Sequence, residues 1–140
     1  VGETYHSMSG AANEALFKHV QPSTLLEHEH VSIGDICFGL GYNSFVAIKE
    51  HQKKFPNGSL QIFAFENDLD ILDQIKNLDF GEYQEQANYI VDLLNNKLES
   101  TSTYDLYLFE NDFLTLTMYV GDMKKTLPIL ADESIDIAFE

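Results

Sequence analysis

The sequence predicts an open α/β fold: a mostly parallel sheet with helices on both faces and one added β-hairpin. Three observations carry this. Apolar strand-like runs at residues 31–38 and 60–65 alternate with helical patterns at 42–55 and 68–76, the signature of parallel strands joined by crossover helices. A Gly-x-Gly turn, Gly39-Leu40-Gly41, links the first strand to the next helix. Later, two β-rich runs flank Asn111-Asp112, which reads as a hairpin. With 140 residues the chain has the length of one domain.

Each element follows from local pattern. Residues 11–20 place Ala15, Leu16 and Val20 at helical spacing after Gly10. Pro22-Ser23 opens a short helix over 24–30, because proline is tolerated in a first turn. Residues 31–38 form a buried strand ending at the glycines. The helix over 42–55 stops at Pro56-Asn57-Gly58. Residues 60–65 are a second strand, followed by a helix over 68–76 whose acidic first turn suits the helix dipole. Residues 83–98 read as one longer helix. Strands follow at 104–110 and 113–120, then a short helix at 124–130 and a strand at 134–139.

Composition narrows the class. Hydrophobic residues make up 44% of the chain, enough to bury a core without staples. The single cysteine, Cys37, excludes an internal disulfide and fits a reducing, cytoplasmic setting. No apolar run approaches the roughly 20 residues of a membrane-spanning helix, and the first residues do not resemble a signal peptide. Eight lysines, no arginine and 23 acids give a formal charge of −15. Taken alone, that repels a phosphate backbone. The basic residues cluster at Lys49, His51, Lys53 and Lys54 and at Lys124-Lys125, and both groups read as solvated helix faces.

The chemistry concentrates at Asp35-Ile36-Cys37-Phe38-Gly39-Leu40-Gly41-Tyr42-Asn43-Ser44. Glycines let a backbone turn tightly and approach a ligand, and the helix that follows presents free N–H groups. In open α/β sheets ligands sit at the carboxyl ends of strands. The second strand ends in Phe65-Glu66-Asn67. An acid there can accept hydrogen bonds from both ribose hydroxyls of an adenosine cofactor, or it can cap the helix that follows. The third glycine of a dinucleotide fingerprint is missing, with Ser44 in its place, and Asp35 precedes the turn. An acid aimed into the turn repels a pyrophosphate but favours the ammonium and sulfonium of S-adenosylmethionine.

The motif Asp35-x-Cys37-x-Gly39-x-Gly41 resembles the D/E-x-G-x-G-x-G motif of class I, Rossmann-like methyltransferases, with Cys37 replacing the first glycine. Gly121-Asp122 is similar to that fold's later acidic motif. The run from Gly2 through Tyr5, Ser7, Gly10 and Glu14 to Ala15 resembles the start of the MnmC-like tRNA methyltransferase family, and Phe38-Gly39-Leu40-Gly41-Tyr42-Asn43 resembles its F-G-T-G-L-N. The resemblance implies methylation of the primary amine of 5-aminomethyluridine at the tRNA wobble position. It implies that Asp35, Gly39 and Gly41 line the methionine end of S-adenosylmethionine. Glu66 would hold the ribose, Asp122 the adenine, and Tyr5, Ser7 and Glu14 would lie near cofactor or substrate. It divides the chain into a family-specific segment, 1–30, and a cofactor-binding core, 31–140. Asp136-Ile137-Ala138-Phe139-Glu140 is similar to the lead-in to the family's D-A-F-x-P motif. By resemblance, then, the domain extends past Glu140, and the 140 residues alone are expected not to turn over. Catalytic residues are not assigned. Neither flavin, metal nor membrane is expected, and the sequence leaves the oligomeric state open.

Other residues have plainer readings. His28 and His30, two apart, do not share a helix face and read as a solvated stretch. Cys37 is expected to be a small buried apolar side chain rather than a nucleophile. Phe38, Phe45, Phe63 and Phe65 are expected in the core, and Asp68, Asp70 and Asp73 on a solvated helix face. Two rival readings stand beside the tRNA enzyme. One is a class I methyltransferase on another substrate, and the other a non-catalytic cofactor-binding fragment.

Overall fold

A computed structural model describes residues 10–20, 24–130 and 135–139. Helix α1, residues 10–14, continues as a π-helix over Ala15–Val20. A 3-10 turn at Thr24–Glu27 leads into strand β1, His30–Ile36. Then come α2 (Tyr42–Lys54), β2 (Ser59–Glu66) and α3 (Leu69–Gln74), which ends in a 3-10 turn at Ile75–Asn77. A 3-10 turn at Gly81–Tyr83 starts α4 (Gln84–Leu94). The remaining elements are β3 (Lys97–Ser100), β4 (Tyr104–Glu110), β5 (Leu114–Gly121), α5 (Met123–Leu130) and β6 (Ile137–Phe139).

The strands form one six-stranded sheet in the order β3-β4-β5-β2-β1-β6. Strand β1 lies between β2 and β6, parallel to both, and β2 is parallel to β5. The expected hairpin is present: β4 pairs antiparallel with β5, Leu108 opposite Thr117. Because side chains alternate along a strand, the two sheet faces separate cleanly. Val31, Ile33, Leu60, Ile62, Ala64, Leu114, Leu116 and Met118 face one core, filled by Phe45 and Ile48 of α2 and Ile90 and Leu93 of α4. Phe63, Phe65 and Tyr119 face the other side, where Met123 of α5 packs on them. All four phenylalanines expected in the core are buried. Among the described residues no helix is long and apolar enough to cross a membrane.

Two elements and one side chain differ from expectation. The helix expected over 83–98 ends at Leu94, and the chain turns into β3, antiparallel to β4. Asn96 makes the turn. Its carbonyl accepts from Leu108 N–H at 3.2 Å and its side-chain amide donates to the Leu108 carbonyl at 2.9 Å, so the backbone leaves the helix to pair with the hairpin. All four β3 residues are exposed, which removes the apolar alternation that marks a strand. The short helix expected over 24–30 is only one 3-10 turn, because His30 already pairs with Ser59 as the first residue of β1. His51 does not belong to a solvated basic face. It is 2% exposed and its Nε2 donates to the His28 carbonyl at 2.8 Å. Ser44, Ala47, Ile48 and His51 repeat at helical spacing on the buried side of α2, which carries His51 inward.

Candidate functional site

The carboxyl ends of three neighbouring parallel strands converge on the glycine turn. Asp35 lies near the end of β1, Glu66 ends β2, and Asp122 follows β5. Since the spatial order is β5-β2-β1, these three acids lie along one edge of the sheet. The turn between β1 and α2 is built from left-handed backbone: Cys37 has φ 62°, Gly39 60° and Gly41 90°. Two hydrogen bonds fix it. Phe38 N–H donates to the Phe65 carbonyl at 2.9 Å, and Gly41 N–H to the Phe38 carbonyl at 3.0 Å.

Each glycine has its own reason. A β-carbon on Gly41 would lie 2.6 Å from Cζ of Phe45 and 2.8 Å from Cε2 of Phe38, both core rings. Gly41 is therefore required by the packing of its own turn, and a bulky residue there would disturb the fold as well as any ligand. At Gly39 a β-carbon would meet only the Cys37 carbonyl at 3.8 Å, so space beside it is open and only the positive φ resists substitution. Cys37 is exposed, contrary to the buried apolar role expected. The turn starts at Cys37 itself, which carries the side chain out of the sheet with its Sγ 3.9 Å from Sδ of Met123.

Glu66 is 4% exposed and holds the turn. Its Oε1 accepts from Gly39 N–H at 2.7 Å, and its Oε2 accepts from the Asn67 and Asp68 N–H groups, both at 3.0 Å. The cap of α3 itself is Asp68, which accepts from Asp70 N–H at 2.9 Å. A carboxylate has about four acceptor directions; three are occupied, which leaves one for a hydroxyl rather than two.

Asp35 is fully buried, on the face of the sheet that α2 covers. Its Oδ2 accepts from the Ser44 hydroxyl at 2.5 Å, while Oδ1 has no hydrogen-bond partner among the described residues. Burial pushes its carboxyl up from 3.8 to about 7; the Ser44 hydrogen bond opposes this and the nearby Glu66 charge adds to it. Asp122 is exposed and caps α5, accepting from Lys124 N–H at 3.0 Å. Glu14 is exposed on α1, and Tyr5 and Ser7 lie outside the described residues. His28 and His30 are exposed, and no group of three or more His, Cys, Asp or Glu among the described residues is placed to hold a metal.

In the sequence, Ser44 is marked only as the residue standing where a dinucleotide fingerprint has glycine. Its spacing on the apolar stripe of α2, one turn before Ile48 and two before His51, was the available signal that it points inward.

No protein-family model matches the chain. The uncharacterized protein MJ0670 of Methanocaldococcus jannaschii is 24% identical over 137 residues, which is 98% of this chain and 35% of that protein. The crystal structure of MnmC2 from Aquifex aeolicus matches with a TM-score of 0.69 at 26% identity, over 93% of this chain and 39% of that one. The chain thus spans little more than a third of either protein's length. By fold as well as by motif, the chain is MnmC-like, a mixed α/β domain similar over nearly all its residues to part of MnmC2.

Proposed function

We propose that this chain forms the cofactor-binding part of an S-adenosylmethionine-dependent methyltransferase that acts on the aminomethyl group of wobble uridine in tRNA. The observation that carries the reading is the buried carboxyl of Asp35, with one oxygen lacking a partner among the described residues, beside a left-handed turn open at Gly39. A buried polar atom without a partner is uncommon in a folded protein and asks for one. An acid in this position suits a cationic ligand and opposes a pyrophosphate. The residues present therefore fit S-adenosylmethionine. Asp35, Gly39 and Gly41 would hold its methionine end, Glu66 a ribose hydroxyl through its remaining acceptor direction, and Asp122 the adenine.

The bound cofactor supplies a methyl group on a sulfonium, open to in-line displacement by a neutral amine. The chain's contribution is orientation and charge. Asp35 offers a negative partner to the cation, the turn brings backbone within reach, and Glu66 keeps the turn in place through Gly39 N–H. None of these residues needs to move a proton. The tRNA substrate rests on the MnmC likeness and implies a cytoplasmic setting.

Calorimetry with S-adenosylmethionine and with NAD tests the cofactor. Binding of the first and not the second is expected, and the reverse would refute the reading. Methyl incorporation from labelled cofactor into tRNA carrying 5-aminomethyluridine, catalysed by the full-length protein that contains this chain, tests the substrate. Incorporation into another amine, and none into that tRNA, would move the activity to another class I substrate.

A further inference from the structure

Under the proposed function the glycine turn and its acids would hold the ligand, which leaves open how a fully buried carboxylate is kept ready for a cation. Two groups act on Asp35 among the described residues. From α2, the Ser44 hydroxyl donates to Oδ2 at 2.5 Å. From the end of β2, Glu66 adds a like charge. Its in-register neighbours, Ala64 of β2 and Phe139 of β6, carry no charge. Ser44 is itself fully buried.

We propose that Ser44 is a positioning residue for cofactor binding. It fixes Asp35 through Oδ2 and stabilises the ionised form, so that Oδ1 remains the oxygen that receives a cationic ligand group. The inference rests on the proposed function, since it presumes that the cation is that of S-adenosylmethionine. A hydroxyl donated to a carboxylate at this distance is a charge-assisted hydrogen bond. Such a bond favours the charged acid over the neutral one. Without it, burial and Glu66 act on Asp35 unopposed, and more of the protein carries a protonated Asp35 at neutral pH. A protonated Asp35 has no charge to offer.

The test compares wild type with Ser44→Ala and Ser44→Cys. Binding of S-adenosylmethionine is measured by calorimetry across neutral to alkaline pH, and the Asp35 carboxyl is titrated by carbon NMR in the free protein. Ser44→Ala is expected to move the Asp35 midpoint up by about one pH unit, the scale of one hydrogen bond to a charged group. It should weaken binding about fivefold near pH 7, where the ionised fraction of Asp35 falls from about one half to about one tenth. The ratio of mutant to wild-type dissociation constants should then fall towards one at high pH, where Asp35 is ionised in both. Ser44→Cys retains a weaker donor and falls between them. A loss of affinity equal at every pH would mark Ser44 as merely structural and overturn the inference, as would an unshifted Asp35 midpoint. If wild type binds no S-adenosylmethionine at any pH, the proposed function fails and the inference fails with it. If wild type binds and Ser44→Ala follows the same profile, only the inference fails.

Discussion

Asp35 makes a measurable claim on stability before any ligand is considered. In the unfolded chain its carboxyl titrates near 3.8, and in the fold near 7, chiefly because burial penalises the charged form. Between those values the folded state holds a proton that the unfolded state has released. Stability therefore falls as pH rises through this window, by about 1.4 kcal/mol per pH unit and about 4 kcal/mol in all. Asp35→Asn removes the titration. Its amide puts N–H groups where Oδ1 has no partner among the described residues, which costs about 1–3 kcal/mol at every pH. The variant should thus be the less stable protein at low pH, and the curves should cross at about pH 4.5–6, with the variant gaining about 4 kcal/mol on wild type between pH 4 and 8. His51 works in the opposite direction. Burial lowers its pKa below 6.5, so the unfolded state binds the extra proton and stability rises with pH towards that value. Because His51 is present in both proteins, its contribution cancels in the difference. Urea unfolding at a series of pH values gives both curves. Curves that stay parallel would show that Asp35 is ionised throughout and would refute the account of its burial.

The turn yields three further predictions. Gly41→Ala should destabilise the fold by about 2–4 kcal/mol, combining a left-handed backbone with a clash against Phe38 and Phe45. Gly39→Ala meets only backbone strain of about 1–2 kcal/mol, so it should stay folded while losing affinity for S-adenosylmethionine; unaltered binding would show that nothing approaches Gly39 closely. Cys37→Gly removes a β-carbon from a residue at φ 62° and should raise stability by about 0.5–1 kcal/mol, read as a higher midpoint in thermal unfolding.

Much of the fold was legible because its signals are local. The strand–turn–helix unit at Asp35–Ser44 combines an apolar run, two glycines and a helical stripe, and its elements lie within a residue or two of expectation. The hairpin was marked by Asn111, whose Oδ1 accepts from the Phe113 and Leu114 N–H groups and closes the turn. What stayed hidden depends on partners far along the chain. Strand β3 exists because Asn96 pairs with Leu108, and its exposed residues carry no pattern. Asp35 and Glu66 could be singled out as acids at strand ends. The count of N–H groups on Glu66, and therefore the single acceptor direction it has left, depends on the three-dimensional closure of the turn.

Asp35 and Glu66 divide the work of one site in a way their burial makes necessary. Both are nearly inaccessible, yet Glu66 has three N–H donors and Asp35 one hydroxyl. Backbone donors stabilise a buried carboxylate well, and Glu66 accordingly serves the structure of the turn. Asp35 has only the Ser44 hydroxyl to oppose its burial, and burial pushes its carboxyl up to about 7. Under the proposed function, a cationic ligand supplies the missing partner. Binding then favours the ionised form and releases a proton whenever Asp35 was protonated beforehand. Cofactor binding by calorimetry in buffers of different ionisation enthalpy should show this release near neutral pH. It should vanish in Asp35→Asn. A proton release that persists in the variant would place the titrating group elsewhere and remove Asp35 from the cation's immediate surroundings.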